Sequence, residues 1–362
     1  MVIGIDASRA FLKKRTGIEE YSYQVLRYLR TALPGEAEVI LYLRRGQTVD
    51  FKLPPTWKTK SLWAPRLWTQ GRLSLEMLLN RPDVLFVPAH TVPFIHPKRT
   101  VVTIHGLEYE FCPEGYGFFE RIYMRLSILH SCWTASRVVA VSENTKRDLT
   151  HLYRISEKKI QVIHEGFQSE SLPKMLSQTP VSDHLPYLLF VGRLETRKNL
   201  IRILEAFEQM KDQLGTTHQL ILVGKFGYGY QQILQKIHHS KWKQDIVVKG
   251  YISEAEKWNL LRQASLFLFP TLYEGFGIPV LEAQSVGIPV LTSNTSSLPE
   301  IAGAGAIFVD PTRTESLRDG IVLGLTDESL RAGIIEAGSK NVRRFHWAST
   351  ARLLAGCITQ AV

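Results

Sequence analysis

The sequence predicts two α/β domains in tandem, and three observations carry that expectation. The chain has 362 residues, too many for one ordinary core and suited to two. Short runs rich in β-branched and apolar residues alternate with amphipathic helical stretches, the pattern of a parallel sheet with helices on both faces. The alternation occurs twice, on either side of a Ser-, Pro- and polar-rich stretch at 166–186. The expected boundaries are 1–175 for the first domain, 186–345 for the second and 346–362 for a terminal helix.

Met1–Asp6 reads as the first strand. Gly17–Ala32 reads as a helix because Ile18, Tyr21, Val25, Leu26 and Leu29 recur at helical spacing. Val39–Leu43 is a second strand, and residues 46–75, with Pro54-Pro55, Trp57, Trp63 and Trp68, read as irregular. Val84–Val87 and Val101–His105 are β-rich, and Glu120–Ala135 is a long helix. Val138–Val141 is a strand, Ser142 suits the cap of the next helix, and Lys159–His164 closes the series. The second series runs Tyr187–Val191, a helix from Asn199, Gln219–Val223, helix 229–239, Ile246–Val248, helix 253–263, Leu266–Phe269, helix 279–286, Pro289–Thr292 and Ala306–Val309. Helices then start at Thr314, Asp327 and about Trp347.

Hydrophobic content of 44% and charged content of 22% are those of a globular, water-soluble chain. No apolar run approaches about 18 residues, the length that argues for a spanning helix. Val2–Asp6 already reads as a buried strand, so no signal peptide is expected. Cys112, Cys132 and Cys357 are odd in number and widely spaced, which suits reduced thiols in the cytoplasm and no metal site. The net charge of +10 is uneven: residues 1–180 hold 25 Lys+Arg against 17 Asp+Glu, and residues 181–362 hold 19 against 17. The basic half suits an anionic acceptor, a membrane surface, nucleic acid or simply a solubilising surface. Trp63, Arg66, Leu67, Trp68, Arg72 and Leu73 make 63–73 the candidate for peripheral membrane contact.

Two motifs carry the chemistry. Glu274 and Glu282 bracket Gly275-Phe276-Gly277-Ile278-Pro279-Val280-Leu281, a glycine-rich turn running into a helix with Pro279 in its first turn. Such a turn offers backbone N–H groups and the positive end of a helix dipole to an anion. About eighty residues earlier, Arg193 and Lys198 lie on a strand-to-helix loop, Gly192–Asn199, where they would neutralise a diphosphate. Carboxylates accept from sugar hydroxyls. A ligand with hydroxyls at one end, a diphosphate in the middle and a ribose beyond is a nucleotide sugar.

Glu-x7-Glu, Gly-Arg-x4-Lys and Val102-Thr103-Ile104-His105 together resemble the retaining family-four glycosyltransferases, and the likeness spans nearly the whole chain. Within that group Glu274-Gly275-Phe276-Gly277 and Ser297–Gly303 look most like bacterial mannosyltransferases. The resemblance implies two Rossmann-like domains facing a central cleft (the GT-B fold), with the terminal helix crossing back to the first domain. It implies that Glu282 holds the ribose, that Glu274 and the Gly275–Gly277 amides lie along the hexose, and that His105 contacts the sugar near its reacting carbon. It also places Tyr251 near the nucleotide base. Lys225, at a strand end, and Gly17, opening a helix, are further donor-binding candidates. Many relatives carry Asp after this His; here Gly106 stands there, and Glu108 or Glu110 is expected to supply the carboxylate.

The implied activity is transfer of a hexose, first mannose from GDP-mannose, to a saccharide or lipid-linked acceptor of a surface polysaccharide. No cofactor is implied. The chain has no Asp-x-Asp, so Arg193, Lys198 and the helix N-terminus at Gly277–Val280 are expected to balance the leaving diphosphate without a metal. The expected location is the cytoplasm, including the inner membrane face. A same-fold sugar-nucleotide epimerase and a non-catalytic nucleotide-sugar or nucleic-acid binding module remain the alternatives. No recognisable nucleic-acid motif is present, and the basic residues are not condensed into one run, so no nucleic acid partner is expected.

Overall fold

The structure is a computed structural model that describes residues 1–64, 66–167 and 185–360. The chain divides into two units, one of Met1–Leu107, Phe118–Gly166 and Phe345–Val362, the other of Glu108–Gly117 and Phe167–Arg344. Most of the stretch read as an interdomain linker lies outside the described residues.

In the first unit, β1 (Val2–Asp6), β2 (Glu38–Arg44), β3 (Trp57–Leu62), β4 (Val84–Val87), β5 (Arg99–Ile104), β6 (Arg137–Ala140) and β7 (Ile160–Val162) form one parallel sheet in the order β3-β2-β1-β4-β5-β6-β7. Helices α1 (Gly17–Ala32), α2 (Ser74–Leu79), α4 (Phe118–Thr134) and α5 (Glu143–Tyr153) belong to this unit, while the one-turn α3 (Glu108–Phe111) belongs to the second. Ile3, Ile5, Val84, Phe86, Val101 and Val139 are fully buried, as strands covered on both faces require.

Two expectations for 46–75 are corrected. Residues 57–62 form an edge strand paired with β2 rather than irregular chain. The strand was illegible because only Trp57 and Leu62 face the core; Lys58, Thr59, Lys60 and Ser61 between them break the alternation that an edge position does not need. Trp68–Leu73 then forms a π-helical turn that runs into α2. Trp68 and Leu73 are buried, the Trp68 indole donating to Asp6 Oδ1 at 3.1 Å, and Arg72 pairs with Glu76 at 3.2 Å. Of the apolar residues proposed for a membrane face there, only Trp63 and Leu67 are exposed.

The second unit holds β8 (Tyr187–Val191), α6 (Leu200–Leu214), β9 (Gln219–Val223), α7 (Tyr230–His239), β10 (Ile246–Gly250), α8 (Glu254–Gln263), β11 (Leu266–Phe269), α9 (Ile278–Ser285), β12 (Val290–Ser293), α10 (Leu298–Ala302), β13 (Ile307–Val309), α11 (Thr314–Thr326) and α12 (Glu328–Val342). Its sheet is also parallel, in the order β10-β9-β8-β11-β12-β13. Both sheets therefore reverse direction once, between β1 and β4 and between β8 and β11. Loops leaving the strands on either side of such a reversal part from one another and open a crevice at the carboxyl edge.

The last helix, α13 (Trp347–Gln360), packs back on the first unit, as expected. Its Trp347, Leu354 and Ile358 join Tyr21, Val25 and Leu29 of α1 in one core, and Thr350 donates to the His164 carbonyl at 2.8 Å. Gly166 lies so close to Trp347 that a Cβ there would collide with the indole.

Candidate active site

The two motifs meet at the reversal of the second sheet. The loop after β8 is Gly192–Asn199, and the loop after β11 is 270–277. The first is fixed along β9: Gly192 N donates to Val223 O at 2.9 Å and Leu194 N to Lys225 O at 2.8 Å. Gly224 has φ +147°, and a Cβ there would fall on the Gly192 carbonyl, so this close approach needs glycine. The two loops are also tied to each other. Leu272 N donates to Arg197 O at 3.0 Å, and the Asn199 side chain donates to Pro270 O at 3.0 Å and to Pro311 O at 2.7 Å.

This tie brings Lys198 and Glu274 into a direct ion pair, and Arg197 closes the cluster. Arg197 Nη1 lies 3.2 Å from Glu274 Oε1 and 2.8 Å from Tyr273 O, while Nη2 lies 2.9 Å from Glu195 Oε1. Sequence reading missed Arg197 and Glu195; the three charges crowded into Glu195–Lys198 were the available signal. Burial works against a charged Glu274, but Lys198 and Arg197 together hold its carboxyl below the usual range. Arg197 is likewise driven up, against burial, by Glu274, Glu108 and Glu195. Lys198 is the member left short. Burial and the neighbouring Arg197 depress it more than the shared Glu274 supports it. An incoming anion would relieve this. Arg193 stands apart, its side chain 59% exposed and its Nε 3.9 Å from Glu195.

The glycine turn leads from Glu274 into α9. Gly277 caps the helix with φ +124°, Pro279 lies in its first turn, and the Ser297 hydroxyl donates to Glu274 O at 2.9 Å and Phe276 O at 2.6 Å. Phe276, Val280 and Leu281 are buried in the core, Ile278 and Pro279 partly so. Val280 N is already bonded to Gly277 O at 3.0 Å. Glu282, one helical turn on, is bonded not to Glu274's cluster but to Lys257 of α8 at 2.8 Å. Burial pushes its carboxyl up against the pull of Lys257. Lys257, held by Glu282 and also by Glu254, is raised despite its own burial. Lys225 lies 4.9 Å over the ring of Tyr251, which is exposed.

In the first unit, His105 ends β5 with both ring nitrogens engaged: Nδ1 3.0 Å from Glu165 Oε1 and Nε2 2.9 Å from Pro88 O. A carbonyl only accepts, so Nε2 carries a proton. Tyr21 stands edge-on at 4.5 Å and His90 at 5.2 Å between ring centroids. Burial holds His90 well below the usual histidine range, and its backbone is left-handed at φ +45°. Glu165, which the sequence reading did not single out, places a carboxylate on His105, while Glu108 makes no bond to it. Glu108 belongs to the second unit, in the field of Arg197 and Tyr116. Gly106 has φ +143°, a conformation an aspartate adopts only with strain, which accounts for glycine in that place. Gly17 is the first residue of α1, where Glu19 accepts from Thr16 N at 3.1 Å and from the Thr16 hydroxyl, so the helix supplies its own anion.

With this geometry in view, residues 151–341 match the glycosyl transferases group 1, and residues 15–170 match glycosyltransferase family 4. The chain belongs to the group 1 glycosyl transferases. The O-antigen chain mannosyltransferase B of Escherichia coli is 28% identical to this glycosyltransferase over 271 residues, 73% of this chain and 69% of that one. The O-antigen chain mannosyltransferase RfbU of Salmonella typhimurium is 24% identical, covering 85% of this chain and 87% of its own. The chain spans only 34% of the serotype-specific mannosyltransferase WbdA of E. coli, at 24% identity. Among solved structures, the glycosyltransferase resembles sucrose-phosphate synthase from Thermosynechococcus elongatus at a TM-score of 0.75 and 17% identity, over 99% of this chain and 98% of that one. It resembles WaaG, a glycosyltransferase of lipopolysaccharide biosynthesis, at 0.72 and 17%, over 99% and 100%. These likenesses establish the GT-B fold.

Proposed function

We propose that this glycosyltransferase moves mannose from GDP-mannose to a saccharide or lipid-linked saccharide, with retention of configuration and without a metal. The observation that carries the reading is the convergence of Lys198, Arg197 and Glu274 beside the glycine turn, at the sheet edge where a nucleotide binds in such folds. Breaking the sugar–phosphate bond builds negative charge on the departing diphosphate. Lys198, short of a full counter-charge, and Arg193, exposed at the loop's outer side, stabilise it. Glu274 accepts from the hexose hydroxyls. Glu282, one turn along α9, accepts from the ribose, exchanging its contact with Lys257 for hydroxyls. The base is assigned to Lys225 and Tyr251, whose ammonium and ring lie 4.9 Å apart. The leaving phosphate takes the acceptor's proton, so the reaction needs no side-chain base.

Mannose is favoured because the curated relatives reported above are mannosyltransferases by name. Nucleotide release from a panel of GDP- and UDP-hexoses, with and without saccharide acceptors, tests the reading. Acceptor-dependent release of GDP from GDP-mannose is expected, with an unchanged rate in excess EDTA. Turnover only with UDP-hexoses would replace the donor. A modified sugar nucleotide formed without acceptor would make the protein an epimerase, and binding without turnover would make it a binding module. Loss of activity in EDTA, restored by magnesium or manganese, would end metal independence.

A further inference from the structure

The first sheet has its own reversal, between β1 and β4, and one side chain beside it has hydrogen-bonding capacity that the fold leaves unused. His90 stands in the connection from β4 to β5. Its backbone is left-handed at φ +45°, and Thr91 N donates to Ala89 O at 2.6 Å across it, so His90 is the apex of a three-residue turn. A positive φ at that apex makes this the strained form of such a turn. Histidine tolerates the conformation better than most residues, but glycine takes it without strain. The neighbours hold the turn in place. His90 N donates to Thr103 O at 3.0 Å, the Pro88 carbonyl accepts from His105 Nε2 at 2.9 Å, and Val92 N donates to Ser131 Oγ at 2.8 Å. Strain that the surroundings enforce, at a position glycine would relax, points to a use for the side chain.

The ring shows what that use is. Nδ1 is shut off from water without a hydrogen-bond partner, a costly state for a buried polar atom. None of the described residues bonds Nε2 either, and His90 is only partly buried, which leaves Nε2 on the open side of the ring. His105, 5.2 Å away between ring centroids, differs in having both nitrogens engaged. Burial, helped by His105 and Arg9, holds His90 well below the usual histidine range, so the ring is uncharged near neutral pH. An uncharged imidazole offers little to an anion. A hydroxyl both donates and accepts, so it satisfies either tautomer of the ring. In open α/β sheets the crevice at such a reversal is where ligands lie. We propose that His90 Nε2 binds a hydroxyl of the reacting saccharides, giving the first unit a direct contact with substrate. The class of ligand rests on the transfer reaction proposed for this protein. The hydroxyl belongs to the donor hexose or to the acceptor, and the chemistry of the contact is the same for both.

Three variants of the full-length protein separate this contact from a structural role. His90→Gly relaxes the turn, His90→Asn suits it and keeps an amide near the place of Nδ1, and His90→Gln carries its amide to the place of Nε2. They are assayed with GDP-mannose, or the donor of the panel that is turned over, and the saccharide that supports nucleotide release. Relative to the unsubstituted protein, kcat/KM is expected to fall on the order of tenfold in His90→Gly and His90→Asn, the worth of one hydrogen bond, and less in His90→Gln. Thermal melts should rank the other way, with His90→Gly and His90→Asn at or above His90→Gln, because the left-handed backbone favours them. Should His90→Gln not fold, the loss in His90→Gly with an undiminished melt carries the test. Binding of the free nucleotide diphosphate, measured by calorimetry, should be unchanged in each variant, since it has no hexose. A loss that appears on varying the donor assigns the hydroxyl to the donor hexose, and one that appears only on varying the acceptor assigns it to the acceptor. Normal kcat/KM for both substrates in His90→Gly, activities that follow the melts rather than the place of the amide, or weakened nucleotide binding would overturn the proposal and leave the transfer reaction standing. No transfer by the unsubstituted protein with any donor of the panel would end both.

Discussion

The two units share a sheet order but dispose of charge in opposite ways. In the first, the cations lie mostly on the surface, and the carboxyl edge of the sheet buries few charges: Asp6 under the Trp68 indole, and Glu165 against His105. In the second, the net balance is nearly neutral, yet three cations and two carboxylates crowd one loop pair, with Arg197, Lys198 and Glu274 largely sequestered from water. A unit's net charge therefore does not locate its anion site. Surface lysines and arginines are screened within about a Debye length of roughly 8–10 Å, whereas a cation held in a low-dielectric pocket with less than a full counter-charge acts strongly on an anion placed beside it.

The sharpest way to break this comparison is to separate the structural cation from the functional ones. Arg197→Ala is expected to cost about 3–5 kcal/mol of stability, since it leaves Glu195 and part of Glu274 buried without their partner; a chemical denaturation series measures it. Arg193→Ala, at an exposed side chain, should cost within about 0.5 kcal/mol. Equal losses would mean the loop does not divide its arginines in this way.

Next in size is turnover. Lys198→Ala and Arg193→Ala are each expected to lower it on the order of a hundredfold, Arg193→Ala with a far smaller effect on folding than Arg197→Ala. Near-normal turnover in both would remove them from the leaving-group role.

The two glutamates should fail differently. The free nucleotide has a ribose and no hexose, so Glu282→Gln is expected to weaken GDP binding by about 1.5–3 kcal/mol, the worth of a buried hydrogen bond to a charged group. Glu274→Gln should leave GDP binding nearly unchanged and lower turnover. Calorimetry on both variants checks this, and similar weakening in each would show the division of roles to be wrong.

The smallest effect concerns pH. Lys198 is depressed in the free protein, and a bound anion favours its charged form. Affinity for GDP should therefore start to fall with rising pH below about pH 10.4, where ordinary lysines titrate. Lys198→Arg, which stays charged, should flatten that slope; an identical slope would place the titration elsewhere.

Much of the fold was legible because parallel strands covered on both faces write themselves as apolar runs, as at Tyr187–Val191 and Gln219–Val223, and α1 carried an unbroken helical period. Trp57–Leu62 was not, because an edge strand paired through its backbone needs no such run. The α4 segment was read as a helix from its composition, and nothing local revealed which of its faces would be inward.

The sequence by itself determined the two α/β series, the glycine turn with its flanking glutamates and the cationic loop, because these are written in local spacing and in backbone conformations that only glycine adopts without strain. The tertiary structure alone decided the partners. Lys198 joins Glu274 across 76 intervening steps of chain, Glu165 rather than Glu108 reaches His105 across 60, and Glu282 turns to Lys257. Such pairings follow from strand order, since a parallel sheet that reverses at its centre brings together the loops after β8 and β11, and no local pattern encodes which distant loop will lie alongside.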